Sequence, residues 1–190
     1  MDVWEQTLRD VIDRDIDVRE NALFQIGLVL ERHNHPMEDG NYEGNLPREL
    51  MRIVLDDSRQ ADTIKYLVTL ARNAPNQSTT VIYAMCRAQA KLLIQPLLEL
   101  LREKGNALPS EAAYEALQGL NECLKLGSEP IVAALKAQNP REWIARWLNS
   151  SDALLAEKAG FSLARLDALL SPPPAPAPAP DAPDSTEKSE

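Results

Sequence analysis

Residues 13–32 read DRDIDVRENALFQIGLVLER, and this stretch decides the fold. Asp13, Asp15 and Asp17 sit where a tight turn and a helix cap are needed, because a short carboxylate accepts from the N–H groups that a helix's first turn leaves unpaired. From there Val18, Ala22, Ile26, Val29 and Leu30 recur three or four apart, so a helix over 18–32 has one apolar face. Upstream, Trp4, Leu8, Val11 and Ile12 repeat the spacing and predict a helix over 3–14. Two amphipathic helices joined by an acidic turn make a hairpin.

The pattern continues outward from this hairpin. Residues 33–45, HNHPMEDGNYEGN, have no apolar period and predict a loop of unusual length for a helical domain. Asn45 and Pro47 are expected to open a short helix reaching Leu55, closed by Asp56, Asp57 and Ser58. Ile64, Leu67, Val68 and Ala71 predict a helix over 61–72, broken at Pro75. The next runs over 79–93. Pro96 cannot supply the N–H that a helix interior uses, which places a fresh start near Gln95 and an end near Lys104. Ser110 opens a helix that Gly127 closes in the left-handed conformation. A shorter one covers 128–137. Asn139 and Pro140 then start a helix holding the Trp143/Trp147 pair, four apart and read as core. Ser151 and Asp152 start the last helix, which runs through Leu155, Ala159, Leu163 and Leu166.

The chain has 190 residues, of which 44% are hydrophobic but only 5% aromatic, so its core is aliphatic. From residue 171 the sequence is SPPPAPAPAPDAPDSTEKSE, which cannot build a core and predicts a disordered, partly polyproline-like tail over 171–190. Residues 1–170 form the folded domain. The net charge of −9 splits into −3 on the tail and −6 on the body. Such a chain lacks the positive field that brings proteins to phosphate backbones or anionic membranes, so nucleic acid and membrane are not expected partners. Cys86 and Cys123, the only cysteines, lie inside apolar helical patterns with no CxxC spacing and read as buried free thiols of a reducing, cytoplasmic compartment. The N-terminus MDVWEQTLRD is unlike a secretory signal.

Asp15, Val18, Arg19, Ala22, Ile26 and Gly27 closely resemble the second-helix pattern of HEAT repeats: an acidic turn, a Val-Arg pair, then Ala and Ile-Gly at successive steps of four. Weaker echoes occur at Val81 and Met85, at Ala112, Ala116 and Leu120, and at Leu155, Ala159 and Leu163. Small residues have a physical reason there, since stacked helices approach closely only where one offers short side chains to its neighbour's ridge. The resemblance implies an all-α fold, a short right-handed α-α superhelix of HEAT-like helical repeats. The matched alanines at 22, 84, 116 and 159 are spaced 62, 32 and 43 residues apart, so the array is irregular, and an irregular helical bundle is the alternative.

The resemblance also implies a binding face along the second helices. Registered by their alanines, these helices place Phe24 and Phe161 at equivalent outward positions, with Leu28 and Arg165 four further on. The expected face comprises Phe24, Leu28, Arg32, Glu115, Gln118, Phe161 and Arg165; the competing reading buries both phenylalanines against neighbouring helices. His33, His35, Glu38 and Asp39 match no metal-site spacing, and no nucleophile elbow, phosphate-binding loop or Cys-His couple occurs, so no catalytic residue, metal or cofactor is expected. The expected function is a non-enzymatic scaffold or adaptor that binds another protein. Alternatives are an acidic inhibitor neutralising a basic partner and, on the resemblance alone, a bilin-lyase-like or DNA-repair-glycosylase-like role.

Overall fold

Asp2 accepts a hydrogen bond from the Trp4 N–H at 3.3 Å and starts α1 (Val3–Asp10). The computed structural model describes residues 2–34 and 45–171, and among them every regular element is helical. The expected loop over 33–45 and the expected disordered tail lie, apart from their first or last residues, outside the described residues.

The acidic turn works as predicted, but it claims more of the chain. The Asp15 N–H donates to Asp13 Oδ1 at 2.8 Å and the Asp17 N–H to Asp15 Oδ1 at 2.9 Å. These local bonds compete with the helical ladder, so α1 stops at Asp10, short of position 14, and α2 (Ile16–Asn34) begins. The helix α3 (Arg48–Met51) is a single turn starting after Pro47, with no side-chain cap from Asn45. Asp56, expected to help end it, caps the next element: its carboxylate accepts from the Arg59 N–H at 2.8 Å and opens α4 (Asp57–Asn73). His33 ties the end of α2 to the strip between, accepting at Nε2 from the Leu55 N–H at 3.1 Å.

The largest correction concerns residues 79–104. The helix predicted through Leu93 ends as α5 (Thr79–Met85), and α6 (Ala90–Lys104) begins well before Pro96 and runs through it. Pro96 sits in the second turn of α6 on a half-exposed side, so the carbonyl it leaves without a helical donor is that of Leu92, also half-exposed. The break over 86–89 carries neither Gly nor Pro; packing of Cys86 against α7, described below, requires it. Next, α7 (Ser110–Leu126) ends as expected at Gly127, whose φ is +52°. α8 (Glu129–Gln138) ends on Asn139, left-handed at φ 43°, so this residue closes a helix where an N-cap was expected. Pro140 then precedes α9 (Arg141–Ala145). Asp152 caps α10 (Ala153–Leu170), accepting from the Leu154 and Leu155 N–H groups at 3.0 and 3.1 Å.

Adjacency in sequence becomes adjacency in space. α1 packs on α2, α4 on α5, α6 on α7 and α9 on α10. Across these pairs α2 touches α5, α5 touches α7 and α7 touches α10, while α4 touches α6 and α6 touches α8. Small residues stand at the contacts: Ala84, Ala116 and Ala159 are fully buried, and a Cβ at Gly27 would lie 3.4 Å from the Ala84 backbone. The core is aliphatic, with Leu67, Leu97, Leu98 and Leu117 completely enclosed, and Trp147 is buried against it as read from the sequence. Each such leucine contributes about 1.5–3 kcal/mol by leaving water. No helix among the described residues is long and apolar enough to cross a membrane.

Candidate functional site

The break between α5 and α6 opens one side of the molecule. The last turn of α2, the 86–89 turn with the start of α6, one face of α7 and the first turn of α8 surround a groove of about 730 Å³. Its floor is small and apolar, built from Ala88, Ala90, Leu93, Gly119, Cys123 and Ile131. Gly119 makes this possible. A Cβ there would lie 2.7 Å from the Cys86 Cβ, so only glycine lets the end of α5 seat against α7.

The rim carries three acids, Glu31, Glu115 and Glu122, and three bases, Arg87, Lys91 and Lys125. Most are engaged with each other or with neighbours. Arg87 meets Glu31 at 3.4 Å and lies 4.4 Å over the Tyr83 ring, and Lys125 meets Glu122 at 2.6 Å. Lys91 reaches Asp57 at 2.6 Å; its hydrogen bond is the main reason the Asp57 carboxyl titrates below its ordinary range. The groove is thus electrically balanced on a strongly acidic chain. Asn34 donates from Nδ2 to the Arg87 carbonyl at 2.5 Å, and its Oδ1 is buried without a hydrogen-bond partner among the described residues.

Both cysteines are free and both line the groove. Burial pushes the Cys123 thiol up to about 12, with Glu122 adding to it, and burial also raises Cys86, with Cys123 and Glu115 adding. Neither is a thiolate at neutral pH, so the nucleophilic form of sulfur is absent from the groove floor. Among the described residues no three His, Cys, Asp or Glu side chains are placed to hold a metal. His33 serves as the structural tie already described, whereas His35, Glu38 and Asp39 lie outside the described residues.

The seven residues expected on the binding face separate. Glu115 and Gln118 line the groove. Gln118 Oε1 accepts from Lys158 Nζ at 2.6 Å, which links α7 to α10 beside Phe161 and Arg165. Phe161 is 54% exposed and Phe24 39%, so neither is the core residue of the competing reading, yet neither lines the groove. Leu28 is 9% exposed and points inward, a correction to the expected face: α2 is touched by α1, α3 and α5, and these leave no open side from Ile26 to Leu30. Arg32 lines a separate, smaller cleft with Arg48, Met51 and Arg52. Sequence reading missed Cys86 and Arg87 because it ran a helix through them. The register held the signal, since counting two from Ala84, as for Phe24 and Phe161, gives Cys86.

Comparison with known proteins finds no family model, no curated protein and no solved structure that matches the chain. What stands is that the described residues are folded into helices and carry a charge-balanced groove.

Proposed function

We propose that this chain is a non-enzymatic protein-interaction module, a scaffold or adaptor built as a short right-handed superhelix of HEAT-like helical repeats, whose groove receives a segment of another protein. The groove carries the reading. Its length spans successive helix pairs, its floor is small and apolar, and its rim offers both charge signs, which suits a peptide better than a phosphate backbone. The unfilled Asn34 Oδ1 is an acceptor for a main-chain N–H. The protonated thiols favour binding over nucleophilic chemistry and fit a reducing, cytoplasmic setting.

The test is affinity capture from the native cell with three forms of the chain. Glu115→Arg combined with Leu126→Arg alters two groove-lining positions, of which Leu126 is exposed. Val54→Arg alters an exposed position that does not line it. A partner retained by the unaltered chain and by Val54→Arg but lost from the groove variant supports the proposal. Capture that ignores the groove variant defeats it.

A further inference from the structure

The face of α10 turned away from α7 and α9 carries Leu154, Phe161, Ala164 and Ala168, all exposed. Leu148, also exposed, lies beside Gly160 on the same helix and widens the patch. Leu154, Phe161 and Ala168 are seven apart and so form one line along the helix. A contiguous apolar patch on a helix face that no other described helix covers marks a contact surface.

The charges on this face say what covers it. Glu157 precedes Phe161 by four and Arg165 follows it by four, so the three form a single ridge. The Arg165 guanidinium stacks 4.5 Å over the Phe161 ring and donates to the Asn121 carbonyl at 3.4 Å, which fixes both side chains. Glu157 is exposed and has no ion pair among the described residues, while Asp167 on the adjoining flank is already paired with Arg141. Read forward the ridge is acid, ring, base; reversed it is base, ring, acid. It is complementary to its own reverse.

We propose that α10 is the interface of a twofold homodimer. The commonest helix crossing, at about −50°, runs the i±4 ridges of two helices side by side. A twofold axis across the ridge at Phe161 sets the two rings against each other and brings each Glu157 to the second copy's Arg165, twice by symmetry. Leu154 of one copy falls toward Ala168 of the other, large against small. The contact is isologous and closes at two chains. It is independent of the groove, and its failure leaves the groove reading intact.

The experiment is analytical ultracentrifugation of the full chain. An interface of one helix face is at the small end of stable contacts, so dissociation is expected at roughly 10–100 µM, with no species beyond the dimer. Phe161→Ser should give a monomer throughout. Glu157→Arg and Arg165→Glu should each weaken dimerisation at least about tenfold, since each sets like charges together twice. Combining them should restore it to within about threefold of the unaltered chain. Circular dichroism checks folding; Glu157 is exposed and has no ion pair among the described residues, so Glu157→Arg stands alone if Arg165→Glu does not fold. A chain monomeric across that range overturns the proposal, as does a double swap no tighter than the single ones. Assembly past two chains that Phe24→Ser abolishes would instead mean head-to-tail joining of α10 to the α1–α2 end, and it overturns the twofold contact.

Discussion

Gly119 and Cys86 meet so closely that a Cβ on the first would lie 2.7 Å from the Cβ of the second. The Cys86 Sγ, nearer still, can rotate away, but the Cys86 Cβ is fixed to the main chain and cannot. Gly119→Ala therefore has to push α5 off α7, and the expected cost is roughly 1–3 kcal/mol by chemical denaturation, despite alanine's better helix propensity. Combining it with Cys86→Gly, which removes the opposing carbon, should cost less than the sum of the two single changes. Strict additivity would show that the two positions do not share this contact.

A second buried contact joins α7 to α10. Asn121 Nδ2 donates to Ser162 Oγ at 2.9 Å, and that hydroxyl donates to the Lys158 carbonyl at 2.8 Å. Asn121 is 3% exposed and Ser162 fully buried, so no solvent replaces a lost partner. Ser162→Ala should destabilise by about 1–3 kcal/mol, the cost of stranding a buried donor. Thermal unfolding measures it, and a change within error would mean that Asn121 finds another acceptor.

Elements closed by local chemistry were legible in the sequence. Asp13, Asp15 and Asp152 hold N–H groups within three residues, and Gly127 takes the one backbone conformation its neighbours cannot easily adopt, so each signal was complete in the residues themselves. The break at 86–89 was illegible for the opposite reason. Cys86, Arg87, Ala88 and Gln89 are compatible with helix, and what turns the chain is a contact with Gly119, thirty-odd residues on. The groove depends on that break, so it was hidden with it. Leu28 fails similarly: its spacing from Phe24 and Arg32 reads as a surface row, and only the convergence of three helices on α2 buries it.

Removal of residues 172–190 should leave the melting temperature unchanged to within about one degree. α10 finishes on its own bonds: the Ser171 N–H and hydroxyl both donate to the Asp167 carbonyl, at 2.9 and 2.6 Å. Pro172, Pro173 and Pro174 have no N–H to offer the carbonyls that follow Asp167, so the proline run adds no helical hydrogen bond to this end. Differential scanning fluorimetry of the full and shortened chains tests this, and a drop of several degrees would place stabilising contacts beyond Ser171.

The thiols give the fold an alkaline weakness whose sign is fixed by burial. In the unfolded chain Cys123 loses its proton near the ordinary value of about 8.5, whereas in the fold it holds it up to about 12. Between these limits the folded state binds more protons than the unfolded state, so stability falls as pH rises. The contribution of the protonated thiol is complete below the unfolded value and is lost progressively on the way to the folded one; Cys86, raised in the same direction, adds to it. Urea unfolding measured from pH 7 to 10.5 should show stability declining above about pH 8.5. Cys123→Ala should decline less steeply across that window, even though it is less stable at pH 7 from the cavity it leaves. The same burial should keep Cys123 slow to react with a disulfide reagent at pH 8 until the chain is unfolded. Equal alkaline slopes for the two proteins, or immediate modification of Cys123 in the folded chain, would contradict the burial of this thiol in the groove floor.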